Sequence, residues 1–99
     1  VTHVHAMRAA GIPVGIGVDG AASNDAGSML GEMRLALLLH RVADGGGEVP
    51  HETWIDPAEL LRMATGTGAA LIGRPDLGRL AVGAPADITA FDVTGVGYA

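Results

Sequence analysis

Apolar and polar positions change period several times along this chain, and each change marks an element. Ile12 to Val18 is a short, β-branched run, interrupted only by Pro and Gly and ended by Asp19. Such a run reads as a strand buried on both faces, as in parallel sheets. Before it, Val1 to Ala10 is rich in Ala, Met and Arg, with Thr2 available as N-cap and Gly11 in the C′ position, which predicts a short helix. Helix followed by strand is one step of a repeating α/β fold. A loop from Gly20 to Ser28 follows, with Asp25 or Ser28 as candidate N-cap, and then a predicted helix from Met29 to Val42. Met29, Leu30, Met33 and Leu37 trace one face of that helix, and Leu35, Leu38, Leu39 and Val42 widen it. So broad an apolar surface predicts a helix held between two layers rather than one facing water.

Asp44-Gly45-Gly46-Gly47-Glu48 is a break; it lacks the strand before it and the Lys-Ser/Thr ending of a phosphate-binding loop. Trp54, beside the next helix start, is expected to pack over that helix. Asp56-Pro57-Ala58-Glu59 has Asp at N-cap, Pro at N1 and Glu at N3, the capping-box pattern. Leu60, Leu61, Met63, Ala64, Ala69, Ala70 and Leu71 supply the buried side of this helix, and Gly73 closes it. Gly66 and Gly68 each cost up to about 1 kcal/mol in a helix interior, so close packing against a neighbour is expected at both. After the turn Arg74-Pro75-Asp76, residues 78–82 and 86–93 read as short strands joined by Gly83-Ala84-Pro85, the second with Ile88, Ala90 and Asp92 alternating with Thr89, Phe91 and Val93 at period two.

Composition narrows the function classes. At 99 residues the chain is the size of one small domain, well short of the about 250 residues of a (β/α)8 barrel. It starts at Val and ends in GVGYA without a closing element, so it is expected to be a piece of a longer protein. No run reaches the ~18 apolar residues of a membrane span, and no signal peptide is visible. The absence of Cys excludes disulfides and thiolate metal sites in this stretch and is compatible with a cytoplasmic location. A net charge of −5, with all six basic residues being scattered Arg, argues against nucleic-acid binding.

Asp19 is the leading candidate for chemistry. In α/β sheets and barrels, the C-terminal ends of strands carry the reacting groups, and a carboxylate there can ligate a metal or move a proton. The alternative is an Asp that caps the loop through backbone N–H groups. His3 and His5 form a His-x-His, but residues i and i+2 diverge on a helix, so they are expected to be surface residues of the first helix and not ligands. His40 is expected to meet the helix dipole or solvent. Asp87, beside Gly and Pro, is expected to bond nearby backbone donors.

Gly17-Val18-Asp19-Gly20-Ala21-Ala22-Ser23-Asn24-Asp25 resembles the end of the eighth barrel strand and the loop after it in the amidohydrolase superfamily. The resemblance is to the branch of aminohydrolases acting on nitrogen heterocycles. Met29-Leu30-Gly31-Glu32-Met33-Arg34-Leu35, Ala64-Thr65-x-x-Gly68-Ala69 and Gly78-x-Leu80-x-x-Gly83-x-x-Ala86-Asp87 follow the same pattern in the same order. The resemblance implies an α/β chain: residues 1–73 as the last part of a (β/α)8 barrel and 74–99 as part of a small β-sandwich domain. It implies hydrolytic deamination of a small heterocycle, 8-oxoguanine or a related purine or triazine first, with adenosylhomocysteine or methylthioadenosine as alternative substrates. It gives Asp19 two duties, as ligand to one zinc or similar divalent ion and as proton shuttle, with Ser23 and Asn24 as candidate donors orienting its carboxylate. The histidine ligands of the family's strands one, five and six are absent from these residues, so the 99 residues alone are expected to be inactive. A cytoplasmic, homo-oligomeric parent without nucleic-acid or membrane partners completes the expectation. The competing reading is a non-catalytic α/β piece in which Asp19 is only a cap.

Overall fold

A computed structural model describes residues 2–42 and 49–95. The predicted glycine break at 44–48 and the last residues, 96–99, lie outside the described residues. The elements in order are α1 (Val4–Ala9), α2 (Met29–Leu39), a 3-10 turn (His51–Thr53), α3 (Pro57–Arg62), a π turn (Met63–Thr67) and α4 (Gly68–Leu71). Among the described residues, no helix is long and apolar enough to cross a membrane.

Local chemistry sets the helix ends. Ser28 caps α2, its hydroxyl accepting from the Gly31 N–H at 3.2 Å. Asp56 caps α3, accepting from the Glu59 N–H at 2.7 Å, with Pro57 in the first turn. Two helices close in the same way. Gly11 has φ 71° and Gly73 φ 80°. Gly11 N–H bonds Arg8 O and Ile12 N–H bonds Met7 O, both at 2.9 Å. Gly73 N–H bonds Ala70 O at 3.0 Å and Arg74 N–H bonds Ala69 O at 2.9 Å. This is the Schellman pair of bonds, and it needs a residue that accepts the left-handed region. Two boundaries differ from expectation: α1 is capped at His3 instead of Thr2, and α2 stops at Leu39 with His40 as its C-cap.

The long helix predicted from Pro57 to Gly73 is present in three pieces, α3, the π turn and α4. Its glycines lie where two other segments come closest. A Cβ on Gly15 would stand 3.2 Å from Gly68 Cα, and one on Gly66 would stand 3.6 Å from Gly78 O. A Cβ on Gly78, which has φ 73°, would fall 2.5 Å from Gly66 N. The close approaches thus demand glycine at the partner positions, Gly15 and Gly78, whereas a Cβ on Gly66 would make ordinary contact and one on Gly68 would stand 3.0 Å from Met63 O in the same helix.

The core is small. Val4, Ile55, Leu60 and Met63 are buried, and Val14, Ile16, Met33, Ala36 and Leu37 pack partly against them. Of the residues expected on the buried side of the 57–71 helix, Leu61 and Leu71 are about half exposed, at 53% and 51%. The predicted strands at 12–18, 78–82 and 86–93 form no β-ladder among the described residues. A ladder needs a partner strand to take its N–H and C=O groups, and no backbone hydrogen bond joins these segments to one another among the described residues. The 12–18 segment is covered unevenly: Val14, Ile16 and Val18 are half-buried and the Cβ side of Gly15 faces Gly68, while Pro13 and Gly17 are open. The outer side of α2 is open as well: Leu30, Leu35, Leu38 and Leu39 are exposed. Total accessible surface is 7194 Å² for 9.9 kDa, against about 5,200 Å² for a compact folded chain of that mass. The radius of gyration of 15.0 Å likewise exceeds the about 12.6 Å of a compact domain.

Polar ties join the helices. Arg8 on α1 donates to both carboxylate oxygens of Glu59 on α3, with Nε–Oε1 at 2.7 Å, and its Nη1 reaches Thr53 O at 3.2 Å. Glu59 therefore faces Arg8 instead of returning to the Asp56 N–H as a full capping box would. His5 donates from Nε2 to His40 O at 2.7 Å, so this half-buried imidazole links α1 to the end of α2 and is not the surface residue its position predicts. Trp54 packs toward α2, with the Arg41 guanidinium 4.7 Å from its ring centroid and its indole N–H on Val49 O at 3.1 Å.

Replacing Gly78 by Ala is expected to cost about 1–3 kcal/mol, through overpacking against Gly66 and the positive φ. Gly95→Ala, with open space around its Cβ, should leave the melting temperature unchanged; equal melting of the two variants would show that the Gly66–Gly78 approach does not matter. In the following turn, the Arg74 hydrogen bond holds the Asp76 carboxyl below its ordinary value of 3.8. Because the folded value is the lower one, that bond's contribution is present above the unfolded value and is lost as pH falls through the folded one. A carboxyl NMR titration of Asp76 should therefore give a midpoint below that of Asp76 in Arg74→Ala.

Candidate functional site

Ile12 to Val18 is positioned from the helix side. Val14 and Ile16 pack on the core, and the Ile16 N–H donates to Met63 O at 3.3 Å, in the π turn. The segment then delivers Asp19 at its end. Asp19 has φ 58° and, among the described residues, is the non-glycine with a positive φ. Asp is one of the few side chains that visit this region, at a cost of order 1–2 kcal/mol, and such strain concentrates at functional positions. Oδ1 of Asp19 accepts from the Gly20 N–H at 2.8 Å. No hydrogen bond from the described residues reaches Oδ2, and the side chain is exposed.

The loop after it closes through Gly20 O, which accepts from Ser23 N–H at 2.9 Å and Asn24 N–H at 3.0 Å. Ser23 is exposed and its hydroxyl bonds none of the described residues. Asn24 is half-buried and engaged at both ends of its amide. Nδ2 donates to Val18 O at 3.0 Å and to Glu32 Oε1 at 2.6 Å, and Oδ1 accepts from the Ala26 N–H at 3.1 Å. Neither Ser23 nor Asn24 bonds the Asp19 carboxylate itself. The structure instead gathers Asp19, Asn24 and Glu32 about one loop.

Glu32 has no special place in the sequence analysis, where it only interrupts the apolar face of α2. The available signal is its position in the first turn of that helix, where the dipole favours an acid. His3 is exposed beyond this region, and His5 is turned to the end of α2. No three of His, Cys, Asp and Glu among the described residues converge as a metal set. Asp87 bonds none of the described residues. It is Asp92 that holds local donors, its Oδ1 taking the Thr94 N–H at 2.9 Å and hydroxyl at 2.7 Å, which lowers its carboxyl below the usual value. A cleft of about 680 Å³ lies between α2, the π turn and the last segment, with Met29, Met33, Leu61, Ile88 and Phe91 among its walls. Asp19 does not line it.

Comparison with known proteins places these features. The profile of the family described as Amidohydrolase family matches residues 1–98. Hydroxydechloroatrazine ethylaminohydrolase of Pseudomonas sp. (strain ADP) is 46% identical over 98 residues, covering 99% of this chain and 20% of that protein. The 8-oxoguanine deaminase of Pseudomonas aeruginosa is 46% identical over 85 residues, covering 86% of this chain and 18% of that protein. A crystal structure of a mutant atrazine chlorohydrolase from Arthrobacter aurescens TC1, complexed with zinc and atraton, superposes with a TM-score of 0.80. It is 48% identical and covers 94% of this chain and 20% of its own. The chain thus spans about a fifth of the length of the relatives it matches.

With no cluster of ligating side chains among the described residues, the 99 residues alone are expected to bind zinc no more tightly than an ordinary exposed acid, since a zinc site takes three or more protein ligands. Competition against a chromogenic chelator measures this. A tight, stoichiometric complex would show instead that His3 or His5 joins Asp19.

Proposed function

The chain belongs to the amidohydrolase family, and from that premise we propose that it is the Asp-bearing part of a longer, metal-dependent aminohydrolase. The reaction is hydrolytic removal of an amino group from a nitrogen heterocycle. The observation that carries the proposal is Asp19: an exposed carboxylate in a left-handed conformation at the end of a core-anchored extended segment, with one oxygen engaged by Gly20 and the other unengaged by the described residues. In this reading residues 1–73 are the last α/β part of the barrel and 74–99 enter a small β-sandwich.

Asp19 fits a zinc or similar divalent ion as one contributed ligand, because its Oδ2 is unengaged and open. The remaining ligands lie elsewhere in the longer chain. When bound, such an ion polarises its ligands and makes water acidic enough to react at neutral pH. The residues of this chain then have separable tasks. Gly20 holds Oδ1 and so sets the direction of Oδ2. Oδ2 takes a proton from the attacking water and returns it to the departing amine, general base and then general acid. The packing of Val14 and Ile16 keeps the segment from shifting as the proton moves. The substrate proposed first is 8-oxoguanine or a related purine or triazine, which two of the relatives named above support.

In the longer protein, Asp19→Asn removes the proton carrier at nearly constant shape. Turnover of the heterocycle should fall by about 10²–10⁴-fold with the circular dichroism spectrum unchanged, and Asp19→Ala should fall as far. Undiminished turnover in both variants would leave Asp19 a loop cap and favour the non-catalytic reading.

A further inference from the structure

We infer that Glu32, on α2, is a positioning residue for Asp19 and acts through Asn24; this rests on the role proposed for Asp19 above. The Asn24 amide has two Nδ2 hydrogens, and both are committed, one to Val18 O and one to Glu32 Oε1, while Oδ1 takes the Ala26 N–H. The Glu32 carboxylate adds a second acceptor to Val18 O and, with the Ala26 N–H on the other side, holds the amide in this one orientation. Turned over, the amide would set Oδ1 against two acceptors, the Val18 carbonyl and the Glu32 carboxylate, and no donor would remain between them. Glu32 therefore keeps Nδ2 on Val18 O.

That carbonyl belongs to the peptide unit whose nitrogen is Asp19 N. Holding its orientation holds the torsion about the Asp19 N–Cα bond, the φ of 58° that an L-residue does not keep without restraint. Glu32 is suited to the task because its own backbone is fixed. Its N–H bonds Ser28 O at 3.0 Å in the capped first turn of α2, and the neighbouring Met33, Ala36 and Leu37 seat that helix on the core. Glu32 is half-buried, and Asn24 is its side-chain hydrogen-bond partner among the described residues. A line of rigid connections thus runs from the core through α2, Glu32 and Asn24 to the backbone that aims the Asp19 carboxylate.

The test uses the longer protein with its metal. Removing an outlying group that orients a metal ligand typically lowers metal affinity or activity by about 10–100-fold. Glu32→Ala should therefore weaken zinc, measured by chelator competition, by about tenfold or more, and lower kcat in the same range with little change in KM. Glu32→Gln keeps an oxygen for Asn24 Nδ2 and should restore both readouts to near the native values. Asn24→Ala should match Glu32→Ala, and the double variant should lose no more than either single one, as expected for two residues in one line. Native zinc affinity and kcat in Glu32→Ala would overturn the inference, as would a Gln variant no better than Ala. If Glu32→Ala does not fold, Asn24→Asp decides: a carboxylate facing Val18 O and Glu32 should lose zinc, and unchanged zinc affinity overturns the inference. A native protein that neither retains zinc nor deaminates a heterocycle would remove the functional reading first, and this inference with it. A fully active native protein with indifferent Glu32 variants removes this inference alone.

Discussion

Close approach of the Ile12–Val18 backbone to the helix at Gly68 is the constraint on which the rest of the structure depends. The absence of a side chain at Gly15 lets the two backbones meet, since a Cβ there would stand 3.2 Å from Gly68 Cα. That approach brings the Ile16 N–H onto Met63 O in the π turn and seats Val14 and Ile16 on Leu60, Met63 and their neighbours. An extended segment without a partner strand would otherwise have nowhere to place its hydrogen bonds. Anchored in this way, it ends at a defined point, and Asp19 inherits that point. The second glycine pair, Gly66 and Gly78, does the same for the turn that leads the chain away from the helix.

Around this contact the helices are joined by polar groups more than by apolar burial. Four residues form the buried core, whereas Arg8 with Glu59, His5 with His40 O and Arg41 over Trp54 each connect different parts of the chain. The Arg8–Glu59 pair is bidentate and about three-quarters covered, the geometry in which an ion pair contributes more than its surface counterparts. The open apolar side of α2 and the exposed Leu80, Ile88 and Phe91 belong to the same picture. A chain that spans about a fifth of the length of its relatives has surfaces that, in the proposed longer protein, meet other barrel elements. In that proposed protein, the partners of the extended segments would likewise come from beyond the described residues.

In the proposed role, the Asp19 acid is aimed through backbone groups and not by another side chain. Asp19 is bonded through its carboxylate only to the next backbone N–H, and its direction comes from the torsion of its own backbone. In the inference above, that torsion is held by the Asn24 amide on Val18 O, which is held in turn by a carboxylate on a capped helix. Leaving Oδ2 without a partner among the described residues suits a group meant to bind or carry something else.

What the sequence by itself determined is what local chemistry decides. Ser28 and Asp56 as caps, Pro57 in the first turn, Gly11 and Gly73 as helix closers and the helical character of 29–39 and 57–71 all depend on bonds between residues a few positions apart. So did the family, which is carried by contiguous motifs, and the placing of Asp19 at the end of an apolar run. Only the tertiary structure decided the rest. It turned Glu59 from its own cap to Arg8, drew His5 to the end of α2, set Trp54 beneath Arg41 and made Glu32 a partner of Asn24. It also replaced regular α-helix by a π turn at Met63–Thr67, where the helix meets the 12–18 segment. Each of these depends on which distant groups arrive within about 3–5 Å, and that distance is set by the packing of the whole chain and not by neighbours in sequence.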